Sequence, residues 1–161
     1  MRKKTWNKVI KNALYMLAHK NEYAYLYGCD GETGSDSLVD RQVATYPDHF
    51  KGMDTQELKD YVRGKKCYDC SGAVHTWFGA IDQNSTALIG ACKNVTTDLA
   101  SGTAGNILWK KGHVGLDIGY GYFVHFPAEF HTIEIAKISE YDWQKSGQLT
   151  AYCKYEGADA R

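Results

Sequence analysis

The sequence predicts an α+β fold, with helices in the first half of the chain and an antiparallel sheet in the second. Two observations carry this. Up to about residue 91 apolar residues recur at helical spacing, and from Ile107 onward the period drops from about 3.6 to 2. A third observation, 43% hydrophobic and 24% charged residues in 161, gives one soluble globular unit long enough to bury its own core. No run approaches the roughly 20 apolar residues of a membrane span.

Trp6, Val9, Ile10, Ala13, Leu14 and Leu17 form one apolar stripe, so a helix is expected over 6–19 with Thr5 as its cap. Tyr23, Tyr25 and Tyr27 alternate, suggesting a short strand or extended segment, and residues 29–35 read as turn. Leu38, Val39, Gln42, Val43 and Tyr46 suggest a helix ending before Pro47. Asp54 and Glu57 fit a capping box for a helix that buries Leu58, Tyr61 and Val62 and stops at Gly64. Residues 65–69 form a polar lead-in to a further helix, whose apolar stripe is Ala73, Val74, Trp77 and Phe78. After a second apolar patch at 87–91, Thr96 or Thr97 can cap a short turn, and 102–106 is a loop. Val114, Leu116 and Ile118, then Tyr122, Val124 and Phe126, alternate around Gly119-Tyr120-Gly121 and predict a hairpin. Further strands are expected at 132–135 and 149–153, with a turn over 139–147 between them.

Net charge is zero but uneven, +6 in the first twenty residues and −6 in the rest. A basic segment of this kind suits an anionic partner or a solvated helix face. The N-terminal run is broken by Lys8, Lys11 and Asn12 and lacks a cleavage site, so it does not read as a signal peptide. Five cysteines, an odd number, exclude a complete disulfide framework within one chain and suit a reducing compartment.

Cys70 opens a helix, where unpaired N–H groups favour the thiolate and a lowered pKa. Read alone it is equally a buried structural cysteine. The hairpin adds two imidazoles. A three-residue turn at 119–121 pairs Gly115 with His125 and puts His113 and His125 on one face, a diagonal step apart. Thiolate, imidazole and a second polar group form a nucleophile–base–orienter set, with His113 as base and His125 as orienter.

Asp69-Cys70-Ser71-Gly72 before an apolar helix, with Gly112-His113-Val114-Gly115-Leu116-Asp117-Ile118-Gly119, resembles the NlpC/p60 cell-wall endopeptidases. The resemblance runs from about Tyr23 to Phe126, and more weakly through Trp143 and 147–152. It implies a papain-like fold in one catalytic domain over 1–161. Tyr25-Leu26-Tyr27-Gly28 matches the family's Tyr-x-x-Gly turn, so Tyr25 and the Cys70 N–H are the expected oxyanion donors. Asp69, Ser71 and Gly112 are expected to border the groove. A departure is the 41 residues between that turn and Cys70 (29–69), read as an inserted helical cap at about 29–66. The implied reaction is hydrolysis of a stem-peptide amide in bacterial peptidoglycan, the bond joining D-γ-glutamyl to a diamino acid. No metal or organic cofactor is required, no nucleic acid is involved, and a monomer suffices. Longer family members of this kind occur as phage or prophage lysins. Such a lysin is made in the cytoplasm and reaches the wall through a pore, by lysis or in a virion.

Rival readings stay open. Cys67-Tyr68-Asp69-Cys70 is also a C-x-x-C, which suits a redox dithiol, although two histidines are then unexplained. Zinc needs a second cysteine pair, and Cys29, Cys92 and Cys153 stand apart. A related Cys–His amidase, transpeptidase or toxin, or a non-catalytic wall-binding domain, has the same motifs.

Overall fold

The first helix starts where its capping residue sits. In the computed structural model, which describes residues 2–158, the short strand β1 (Lys4–Thr5) leads into α1 (Trp6–Ala18). The Thr5 hydroxyl accepts from the Lys8 N–H, as its position predicts. The alternating tyrosines do form a strand, β2 (Tyr23–Tyr25).

The stretch that follows departs from expectation. Residues 29–35, read as turn alone, contain β3 (Asp30–Thr33), broken by a bulge around Gly31. Then come α2 (Asp36–Thr45), α3 (Pro47–Phe50) and α4 (Thr55–Val62). Pro47 ends one helix and begins the next, because its fixed φ suits a first helical position. Asp54 caps α4 by accepting from the Glu57 N–H. The polar lead-in to the next helix is itself a strand, β4 (Lys66–Tyr68), lying between β2 and β3. Three residues are too few to display a period. β2 and β4 run parallel with Tyr25 opposite Tyr68, and parallel neighbours need a long crossover. Helices α2 to α4 supply it, so the 41-residue excursion leaves and returns at one place.

Next are α5 (Cys70–Phe78), closed by Gly79 at φ +67°, and α6 (Ser85–Gly90), capped by Asn84. β5 (Lys93–Thr96) precedes a turn capped by Asp98, whose own N–H is held by the Thr96 hydroxyl. The main sheet is completed by β6 (Ile107–Lys110), β7 (His113–Gly119), β8 (Tyr122–His125), β9 (Glu134–Lys137) and β10 (Lys145–Gln148). Its order is β5-β10-β6-β7-β8-β9, antiparallel throughout. A final strand, β11 (Cys153–Lys154), pairs with β1.

Two strand expectations need correction. The strand placed at 132–135 starts two residues later, and 149–152 is not strand at all. β10 lies instead within the stretch read as turn. Its Lys-Ser-Gly-Gln sequence hides it, because what it buries is the Ser146 hydroxyl, accepting from Asn106 at 2.9 Å, and a glycine against Cys92.

The hairpin reaches the expected register by another route. The turn has two residues, Tyr120 and Gly121, both at positive φ as a type I′ turn demands. A bulge at Ile118 restores the count, so Leu116 faces Val124 and Asp117 faces Phe123. Against this face lie Ala73, Val74, Trp77 and Phe78 of α5, all buried. Burial of each of the two aromatics stabilises the helix–sheet contact by roughly 2–3 kcal/mol. A separate apolar cluster, Ala24, Leu26, Cys29, Leu38, Val39, Phe50, Leu58, Val62 and Cys67, holds α2 to α4 over the small sheet. Among the described residues no helix is long and apolar enough to cross a membrane.

Candidate active site

Asp69 fixes the position of Cys70. Its carboxylate caps α5 by accepting from the Gly72 N–H at 2.7 Å, and its other oxygen accepts from the Gly28 N–H at 2.9 Å. One side chain therefore ties the Tyr25–Gly28 turn to the helix that starts at Cys70. Gly72 is required here, since a Cβ would collide with the Cys29 carbonyl oxygen. Backbone N–H groups of Val114, Ser71 and Cys70 itself point at the Cys70 sulfur.

The Val114 N–H places the start of β7 against that sulfur, and His113 is the preceding residue. His113 Nε2 lies 2.7 Å from His125 Nδ1, so the expected pairing of the imidazoles is present. Trp143 stacks on His113 with ring centroids 5.3 Å apart and planes 8° from parallel. Gly115 makes room for that indole. Tyr141 closes the other edge of the pair.

Tyr25 is buried, and after burial the leading electrostatic influence on its hydroxyl is Cys70. Both effects push its pKa up, so it stays an O–H donor. The turn that carries it is held by groups the sequence reading missed. Glu129, buried, accepts from the Tyr27 N–H at 2.9 Å and pairs with His49 at 2.8 Å, and His49 stacks on Tyr27. Gln42 donates to the Tyr27 carbonyl. Neither Glu129 nor His49 lies in a motif or a periodic run, so only the fold brings them together.

A groove of about 380 Å³ opens over Cys70, and Tyr25, Asp69, Ser71 and Gly112 all line it. Tyr27, Tyr46, Asp30, Asp82 and Asn84, not singled out in the sequence, line it as well. Cys67 faces away. It is fully buried in the apolar cluster under α2 to α4, and burial pushes its thiol up to about 12. All five cysteines are free thiols.

The charge states differ from the expectation of a lowered thiol. Burial and the Asp69 carboxylate push Cys70 up to about 11, which the three N–H groups only partly offset. Burial, with Lys110 adding to it, pushes His113 down to about 4; burial and His113 push His125 down to about 3. The gap between about 11 and about 4 corresponds to something on the order of 10 kcal/mol against an isolated ion pair. Attraction between unit charges about 4 Å apart at an effective dielectric of 20 returns about 4 kcal/mol, less than half of that. Both shifts favour a resting pair of neutral thiol and neutral imidazole, with His113 Nε2 and His125 Nδ1 sharing one hydrogen bond.

This has a stability consequence. An unfolded chain protonates histidine near 6.5, the folded one only near 4 and 3. Across that window the unfolded state binds more protons, so stability falls as pH drops. Thermal melts followed by circular dichroism are expected to show a loss on the order of 5 kcal/mol between pH 6.5 and 4, about half from each histidine. In His125→Gln the loss should be smaller; an identical slope would rule out these histidines as its source.

No protein-family model and no curated relative matches the chain. Solved structures do. NlpC2 from Trichomonas vaginalis superposes with a TM-score of 0.53 at 13% identity, over 88% of this chain and 46% of that one. The peptidoglycan hydrolase RipB from Mycobacterium tuberculosis gives 0.52 at 14% identity, over 89% and 66%. The P60 domain of an antigen from M. avium subspecies paratuberculosis gives 0.54 at 13%, over 89% and 96%. The chain spans under half the length of the Trichomonas proteins and nearly all of the P60 domain. Identities of 13–15% leave only the backbone in common, and what that backbone shows is that the chain has the NlpC/p60 fold.

Proposed function

We propose that the chain is a cysteine peptidase that hydrolyses an amide bond in the stem peptides of bacterial peptidoglycan. The observation that supports this best is the arrangement around Cys70: a thiol opening a helix, the Val114 N–H of β7 on its sulfur, and His113, the residue before Val114, paired with His125. A structural cysteine needs no imidazole pair and no groove. The shared fold with a peptidoglycan hydrolase supports the substrate class.

The sulfur attacks the carbonyl carbon as His113 takes the thiol proton, and the oxyanion accepts from the Tyr25 hydroxyl and the Cys70 N–H. His113 then protonates the departing amine. The thioester left on Cys70 is hydrolysed by water, with His113 again as base. Concerted transfer suits the neutral resting pair, because the proton moves only as the sulfur bonds to carbon and the negative charge goes to the oxyanion and not to a free thiolate. The finer reading is cleavage between D-γ-glutamyl and a diamino acid, by a lysin of phage or prophage type made in the cytoplasm. Mass spectrometry of digested walls tests it. Fragments ending in γ-glutamate, with a newly freed diamino-acid amine, are expected. Intact stem peptides released from the sugar indicate an amidase instead, and new cross-links a transpeptidase.

A further inference from the structure

We propose that Asp30, His75 and Asp82 bind one divalent transition-metal ion of the zinc class at the rim of the groove. His75 lies on α5, five residues after Cys70, and its side chain is only 10% exposed. Its Nδ1 is 3.1 Å from the Ala80 carbonyl oxygen, an acceptor only, so Nδ1 carries the hydrogen. In the neutral ring Nε2 then offers a lone pair. It points at two further acceptors, Asp30 Oδ2 at 3.1 Å and Asp82 Oδ1 at 3.4 Å. With Nε2 unprotonated, the three ligand atoms cluster within 4.8 Å of one another, and a cation between them satisfies all three.

The spacing suits a metal. Ligand atoms about 2.0–2.1 Å from a tetrahedral zinc lie about 3.3 Å from one another. The separations of 3.1 and 3.4 Å bracket that figure, and all three ligand atoms lie within 4.8 Å of each other. A backbone carbonyl on the remote ring nitrogen is the outer partner that orients metal-binding imidazoles. One nitrogen and two carboxylates favour zinc or manganese over calcium or magnesium, which prefer oxygen alone. Asp30 and Asp82 are 42% and 75% exposed and both line the groove, so an ion can enter and keeps an open position there.

The three ligands come from β3, α5 and the connection between α5 and α6. A bound ion ties that connection, whose Gln83 and Asn84 form part of the groove wall, to the small sheet. It takes no part in acyl transfer, and its binding does not depend on the reaction at Cys70.

The test is titration of the full chain with Co²⁺ and Zn²⁺, with Cys70→Ser removing the thiol in the groove. One equivalent is expected, and the cobalt form should show d–d absorption without the intense near-ultraviolet band of a cobalt–thiolate bond. Asp82→Asn, at an exposed position, should weaken binding at least about tenfold without changing the metal-free melting temperature. Asp30→Asn should do the same. Equal affinity in both variants, a thiolate band, or no binding up to about 1 mM metal overturns the site.

Discussion

Cys70→Ala is expected to slow hydrolysis of purified cell walls on the order of 10⁴-fold or more, the scale of losing a nucleophile. The fold should survive. Asp69 still caps α5 through the Gly72 N–H, and the change removes one sulfur from a site already open to the groove. Circular dichroism melts should therefore lie within a few degrees of the parent. Cys67→Ala separates the nucleophile reading from the redox one. Cys67 is fully buried among apolar side chains, so its loss should lower stability by roughly 1 kcal/mol while wall hydrolysis continues. If Cys70→Ala digests walls as fast as the parent, acyl transfer through this sulfur is wrong. If Cys67→Ala is the inactive variant instead, the C-x-x-C is the working unit.

The parts of this site that were legible in the sequence are those set by local rules. Thr5 and Asp54 cap helices through their own side chains, and the apolar stripe of α5 fixes which way Cys70 faces. The hairpin register is the one a three-residue turn at 119–121 predicts, with Leu116 and Val124 sharing a buried face, although a two-residue turn and a bulge produce it. The bulge at Ile118 is visible only in the structure, and without it a two-residue turn would send His113 and His125 to opposite faces. What local rules do not encode was lost. β4 and β10 are short strands made by their neighbours, and nothing in Lys-Cys-Tyr or Lys-Ser-Gly-Gln marks them. Glu129 meets His49 across 80 residues, and Asp30 meets His75 across 45. The direction of the thiol's shift is hidden for a related reason: the helix N-terminus is visible in sequence, but the burial that outweighs it is not.

His113→Ala is expected to cost about 10³- to 10⁴-fold at pH 7, and its pH profile separates a catalytic role from a structural one. A thiol held at about 11 is ionised in about one molecule in 10⁴ at pH 7, so sulfur without a base is almost wholly inactive. The residual rate of the variant should then rise about tenfold per pH unit from 6 to 9 as solvent supplies thiolate. The parent should be nearly flat over that range, because His113 is already neutral there, and should lose rate only as pH falls toward about 4. His125→Ala should be milder, about 10- to 100-fold. It removes the acceptor that sets the His113 tautomer, but the stacked Trp143 still holds the ring in place. A His113→Ala enzyme with the parent's rate and a flat profile would remove His113 from the mechanism. A steep profile restored toward parental rates at high pH, with an unchanged fold, is the signature of a lost base.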